Sequence, residues 1–149
     1  TRYGARVIIN DRVDIAMMSG ADGVHVGQDD LLVPTVKELL SGHSVIGLST
    51  HTAEQFAESL LLDVDYAAVG PIYETRTKET GYSAVGVGAI ASARASAGQL
   101  PIVAIGGITV ENAADVLAAG ASSVSVISDV FSGGDPTQRT RAYLERLSV

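Results

Sequence analysis

Six short runs rich in apolar and β-branched residues, each followed by a helical pattern, constrain this chain more than any other feature. They cover residues 6–9, 23–26, 45–48, 66–69, 102–105 and 124–127. Several are apolar throughout, the signature of strands buried on both faces of a parallel sheet. Val24-His25-Val26 and Val124-Ser125-Val126-Ile127 alternate instead, which turns a polar side chain to one face. Helical patterns cover 12–19, 31–40, 52–62, 85–97 and 110–119, with a last helix opening at Asp135-Pro136. Thr52-Ala53-Glu54-Gln55 has the form of a capping box. Thr109 is placed to cap the fifth helix, and Gly120 to close it. Most strand starts lie about 16 to 22 residues apart, enough for one crossover helix between parallel strands.

The pattern is (βα) repeated six times. Short, evenly spaced strands favour a TIM (β/α)8-type barrel over an open doubly wound sheet. A full barrel needs eight units and about 200 residues or more. The expectation is therefore one partial barrel domain over residues 1–149, with the N-terminal two units missing. The chain does not begin with Met, which suits a processed or partial sequence. A net charge of -7 argues against nucleic acid or an anionic membrane as partner. No apolar run approaches the roughly 20 residues of a membrane span. The absence of cysteine excludes disulfides and thiolate chemistry and fits a reducing compartment, so a cytoplasmic location is expected.

In a β/α barrel, chemistry sits where strands end. Asn10-Asp11 follows the first run and Gly27-Gln28-Asp29-Asp30 the second. Asp11 and Asp30 can each cap a helix, but as a pair at neighbouring strand ends they favour a hard cation. Ser49-Thr50-His51 follows the third run; Ser49 can bind a diphosphate or cap, and His51 is a structural histidine or a general base. His25, inside a strand, reads as a satisfied interior group. Gly70-Pro71-Ile72-Tyr73-Glu74-Thr75-Arg76-Thr77-Lys78 follows the fourth run and crowds two hydroxyls and two cations into four residues, the makings of an anion site. Gly106-Gly107 follows the fifth run and Ser128 the sixth, the position of many barrel phosphate sites. Two anion sites result, one a monophosphate cradle and the other facing a carboxylate-bound metal.

These motifs together resemble thiamine phosphate synthase. The resemblance rests on Ile8-Ile9-Asn10-Asp11-Arg12, on residues 22–30, on Gly47-Leu48-Ser49-Thr50-His51-Thr52, on the loop 70–78, and on residues 103–108. It implies the condensation of an aminopyrimidine diphosphate with a thiazole phosphate, releasing diphosphate. It further implies Mg²⁺ on Asp11 and Asp30, and the pyrimidine diphosphate on Asn10, Ser49 and Lys78. The thiazole phosphate would lie on Thr75, Thr77, Gly107, Ile127 and Ser128. Ser49 and Lys78 would be the catalytic pair, and Arg76, grouped with the substrate loop, has no separate task. The family's Gln-x-Arg-x-Lys diphosphate clamp lies upstream of the first residue here, so the 149 residues alone are expected to be weak or inactive. Glu74 replaces the family's usual Pro, which loosens that loop. Homo-oligomerisation is left open. The competing readings are a thiazole tautomerase relative, with His51 as its acid/base, and a non-catalytic partial barrel that only binds phosphate.

Overall fold

The protein is described by a computed structural model covering residues 3–40, 42, 44–77, 81–132 and 134–147. Six strands form one sheet: β1 (Ile8–Asn10), β2 (Gly23–Val26), β3 (Val45–Thr50), β4 (Tyr66–Val69), β5 (Ile102–Ile105) and β6 (Ser123–Ser125). All five pairings are parallel and the strands lie in chain order. A doubly wound sheet reverses its strand order at a switch point. This sheet never reverses, so it is a curled half-barrel, the incomplete (β/α)8 form expected from the spacing.

The helices are α1 (Val13–Ser19), α2 (Val33–Leu40), α3 (Ala53–Ser59), α4 (Val87–Ser96), α5 (Ala113–Ala118), α6 (Ser128–Phe131) and α7 (Pro136–Leu147). Val13, Ala16, Val33 and Val36 of α1 and α2 bury Val24, Val26, Ile46 and Leu48 of β2 and β3. Phe56, Ile90, Val116 and Tyr143 of the later helices cover Ala67, Val69, Ile102 and Ala104. One sheet face is thus apolar and sealed by helices. Strand alternation turns His25, Ser49 and Tyr66 to the other face.

Several caps follow the sequence. The Thr52 side chain accepts from the Gln55 backbone amide at 3.2 Å, and the Gln55 side-chain oxygen Oε1 accepts from the His51 backbone amide at 2.7 Å. Asp135 accepts from the Thr137 amide at 2.9 Å, so Pro136 opens α7 without losing a needed donor.

Three expectations need correction. β1 runs from Ile8 to Asn10, not 6–9, because the Asp22 carboxylate takes the Val7 amide at 2.6 Å ahead of the ladder. β6 stops at Ser125 rather than 127, and α6 begins at Ser128, an element no periodicity announced. The fifth helix opens at Ala113 rather than 110. Asn112 accepts from the Thr109 amide at 2.8 Å, which makes residues 109–112 a turn and puts Asn112 rather than Thr109 at the N-cap position. Asp30, for which capping α2 was an alternative, instead closes its own turn, as described below.

At the strands' opposite ends a cavity of about 360 Å³ is lined by Arg6, Lys37, Asp63 and Asp65, among others, and Lys37 pairs with Asp63 there. That is the barrel face associated with stability rather than chemistry. Among the described residues no helix is long and apolar enough to cross a membrane.

Ile90, fully buried on α4, tests how tightly the helical layer packs. Ile90→Ala should cost about 2–5 kcal/mol, read as a lower urea midpoint. A loss within error would mean that α4 does not seat on β4 and β5.

Candidate active site

The β2, β3 and β4 strands carry a hydrogen-bonded relay on the face opposite the helices. His25 Nε2 meets the Ser49 hydroxyl at 2.8 Å and His25 Nδ1 meets the Tyr66 hydroxyl at 2.9 Å. The two rings stack with centroids 5.5 Å apart. His25 and Tyr66 are separated by β3, and they touch only because Gly47 lies between them in register. A Cβ on Gly47 would sit 2.1 Å from the Tyr66 ring and 2.5 Å from His25 Nδ1. Burial, and then the nearby Asp65 carboxylate, raise the Tyr66 pKa, so its phenol stays protonated. The expected interior role of His25 is found, together with a consequence the sequence did not reveal: it fixes Ser49. The Gln28 amide adds a bond to the Ser49 carbonyl at 2.6 Å.

Asn10 closes β1 in register with His25, so it shares the relay's face. Asp11 follows in the left-handed region at φ 63°, and among the described residues it is the one non-glycine with positive φ. Its amide donates to the His25 carbonyl at 2.8 Å. A strained backbone at a strand end is typical of functional sites. Asp30 Oδ2 accepts from the Gly27 amide at 2.7 Å, closing its own turn instead of capping α2. Among the described residues no three His, Cys, Asp or Glu side chains gather as a metal cage. Two carboxylates at adjacent strand ends nonetheless suit Mg²⁺, which takes one or two carboxylates and completes its shell with phosphate oxygens and water.

His51 Nδ1 lies 2.6 Å from the Gly70 carbonyl. A carbonyl only accepts, so Nδ1 carries the proton and neutral His51 leaves Nε2 as its basic atom. The ring stacks on Tyr82 at 4.2 Å, whose hydroxyl accepts from Gln55 at 3.1 Å. His51 therefore holds the start and the return of the β4–α4 loop together.

That loop begins by docking on the end of β5. The Ile72 amide donates to the Ile105 carbonyl at 2.9 Å and the Tyr73 amide to the Gly106 carbonyl at 3.0 Å. Gly106 and Gly107 have φ of 97° and 64°. A Cβ on Gly106 would lie 2.5 Å from Pro71, and one on Gly107 would lie 2.6 Å from the Glu74 carbonyl. The Cα faces of both glycines admit this loop. Beyond Glu74, the Thr75 hydroxyl donates to Thr77 Oγ1 at 3.2 Å, and Thr77 Oγ1 hydrogen-bonds the Ser128 hydroxyl. Thr75, Thr77 and Ser128 are thereby brought together beside the glycine loop. Ile127, immediately before Ser128, is half exposed, and Arg76 is exposed. Lys78 lies outside the described residues.

Asp129, next to Ser128, takes a separate set of partners. It accepts from Arg139 Nε and a terminal Arg139 nitrogen at 2.9 and 2.8 Å, from the Tyr143 hydroxyl at 2.6 Å and from the Val110 amide at 3.2 Å. Hydrogen bonding by Arg139 foremost holds its carboxyl below the ordinary range, and burial with Asp129 raises Tyr143. The stabilisation from a carboxylate so lowered is present above its unfolded-state pKa and fades as pH falls through the folded-state value. No pattern in the sequence indicated this group, because its partners lie 10 and 14 residues along the chain on α7.

A parallel β/α half-barrel with carboxylates, hydroxyls and a glycine loop at its C-terminal strand ends belongs to the phosphate-handling class of barrel proteins. The thiamine monophosphate synthase family model matches residues 1–130, and the chain belongs to that family. It is 44% identical over 145 residues to a thiamine-phosphate synthase of Methanospirillum hungatei, covering 97% of this chain and 70% of the relative. It is 40% identical over 148 residues to that of Chloroflexus aurantiacus, covering 99% of this chain and 68% of the relative. Thiamine phosphate pyrophosphorylase from Pyrococcus furiosus superposes with a TM-score of 0.90 at 30% identity, over 99% of this chain and 69% of its own.

Gly47→Ala tests the relay. Overpacking the ring pair should cost about 1–3 kcal/mol, measured by urea denaturation. A variant as stable as its parent would show that the rings do not meet across β3.

Proposed function

We propose that this chain, as one partial barrel domain, serves the condensation of an aminopyrimidine diphosphate with a thiazole phosphate to give thiamine phosphate and diphosphate. The observation that carries this reading is the meeting of the Thr75, Thr77 and Ser128 hydroxyls beside Gly107, with the Ser49 relay and the Asp11/Asp30 pair on neighbouring strand ends. The first group offers neutral donors for a monophosphate, and the second suits a metal-bound diphosphate. Two differently built phosphate sites fit a two-substrate enzyme.

In the reaction the bond between the pyrimidine's methylene carbon and the diphosphate oxygen breaks, and its electron pair leaves with the diphosphate. The thiazole nitrogen then donates its lone pair to that carbon. No protein nucleophile takes part, in keeping with a chain that has no cysteine. The residues bind, orient and neutralise. Tyr66 and His25 hold Ser49, whose hydroxyl contacts the pyrimidine diphosphate together with Asn10. Asp11 and Asp30 would hold Mg²⁺, which when bound neutralises charge growing on the leaving group. Lys78 and Arg76 add cationic charge from the loop. Thr75, Thr77, Gly107, Ile127 and Ser128 fix the thiazole phosphate so that its nitrogen faces the reacting carbon. Both substrates are small molecules, and a cytoplasmic location suits such a biosynthetic enzyme.

One observation favours a second reading. The bond from His51 Nδ1 to Gly70 leaves Nε2 basic, as a thiazole tautomerase would require. Diphosphate release separates the two. The chain, expressed with the genomic sequence upstream of Thr1 in frame, is expected to release diphosphate only when both substrates and Mg²⁺ are present. Tautomer interconversion without diphosphate release would replace the first reading with the second.

Ser128→Ala with Thr77→Val should raise KM for the thiazole phosphate about tenfold or more, from two lost hydrogen bonds to a charged group. KM for the pyrimidine diphosphate should stay within about twofold, a ratio that sits inside ordinary error in binding energy. Equal changes in both would separate these hydroxyls from the thiazole phosphate.

A further inference from the structure

α6 is a four-residue helix with no fully buried side chain. A single turn is not stable by itself, because nucleation costs more than one turn returns. Its position must come from outside. Val130 supplies part of it by packing against the core. The larger share is polar and runs through Asp129. One carboxylate ties α6 to Val110 at the end of the glycine loop and to Arg139 and Tyr143 on α7. Arg139 is bidentate on Asp129 and also reaches Glu111 at 3.2 Å, which is the charge-assisted fork geometry that fixes orientation as well as distance. The Tyr143 hydroxyl lies within 3.4 Å of the Ile108 carbonyl as well. The Asp129 side chain is 15% exposed and that of Arg139 31%, so this pair is shielded more than a surface ion pair.

Ser128 stands one residue before Asp129 and bonds Thr77, whereas Asp129 bonds Val110 and α7. Val110 stands three residues after Gly107 on the loop it shares with that glycine. Asp129 therefore spans the two loops that carry the two fixed halves of the monophosphate cradle. Arg139 and Tyr143 lie beyond residue 130, where the match to the family model ends.

We infer that Asp129, gripped by Arg139 and Tyr143 of α7, is a positioning residue that sets the spacing between Ser128 and the Gly107 loop and so tunes affinity for the phosphate of the thiazole substrate. It touches no substrate, and the inference rests on the reading of that cradle given under Proposed function.

The test is steady-state kinetics on Asp129→Asn, which keeps the side chain's shape and loses its charge, with the thermal midpoint recorded in parallel. KM for the thiazole phosphate should rise about tenfold, the range for a lost hydrogen bond to a charged group. KM for the pyrimidine diphosphate and kcat should stay within about twofold of the parent. Arg139→Lys, which retains charge without the fork, should fall between the two. Should Asp129→Asn fail to fold, Tyr143→Phe removes one bond to the same carboxylate and carries the same measurement at a smaller size. An unchanged KM for the thiazole phosphate, or equal losses for both substrates, overturns the inference. If the parent protein itself neither binds nor consumes the thiazole phosphate, the proposed function fails instead, so the two failures are distinct.

Discussion

The seating of the β4–α4 loop on the end of β5 is the contact on which the rest of the site depends. Gly70 to Glu74 continue past the last β4–β5 pair, with Ile72 and Tyr73 donating to Ile105 and Gly106. Ile72 is 1% exposed and belongs to the core, so the loop is anchored by an apolar side chain as well as by its backbone. The Val85 and Gly86 amides return to the Pro71 and Ile72 carbonyls and close the loop at its base. Three glycines are spent on this one crossing. Any Cβ on Gly70, Gly106 or Gly107 would fall within 2.2 to 2.6 Å of a neighbouring atom of the other segment. Because the base is anchored in this way, Thr75 and Thr77 are delivered to Ser128, which lies 51 residues from Thr77 in sequence but adjacent in space.

Much of this fold is legible in the sequence, and the part that is not has a physical reason. Strands buried on both faces leave a run of Val, Ile and Ala that no other element needs, so β4 and β5 are found at the residues where the pattern puts them, and the alternation of Val24-His25-Val26 does the same for β2. The start of β1 is less legible because a ladder stops where a side chain competes for its amides, as Asp22 does at Val7. A helix of four residues has no periodicity to detect, which hides α6. The carboxylates at 11 and 30 are conspicuous as residue types, but capping and metal holding look alike until the backbone is seen. Only then does Asp30 prove to brace Gly27.

The relay on the inner face shows a different limit. His25 reads as an interior histidine from its place in an apolar strand. Its partners cannot be read, since Tyr66 lies 41 residues on and meets it across an intervening strand. Gly47 is what makes the contact, and a glycine in a strand signals only that something approaches closely. The register of three parallel strands decides what that something is.

The two faces of the sheet divide the work. The face under the helices is apolar, and its burial holds the half-barrel together. The opposite face carries polar groups, which are costly to bury unless each has a partner. Among the described residues no buried side-chain nitrogen or oxygen lacks one. On that face the condition is met by pairing Ser49 with His25 and His25 with Tyr66, while at the site's edge Asp129 pairs with Arg139 and Tyr143, and the exposed Thr77 and Ser128 pair with each other. Such pairing preorganises the donors, so little rearrangement is needed when a phosphate arrives. It also means that a ligand must displace or share an existing bond. A bond between two neutral hydroxyls, as at Thr77 and Ser128, is weaker than the bond either makes to a phosphate oxygen. The bonds of Asp129 to Arg139 are charge-assisted and stay shut. The site can therefore exchange partners at its mouth while its frame holds.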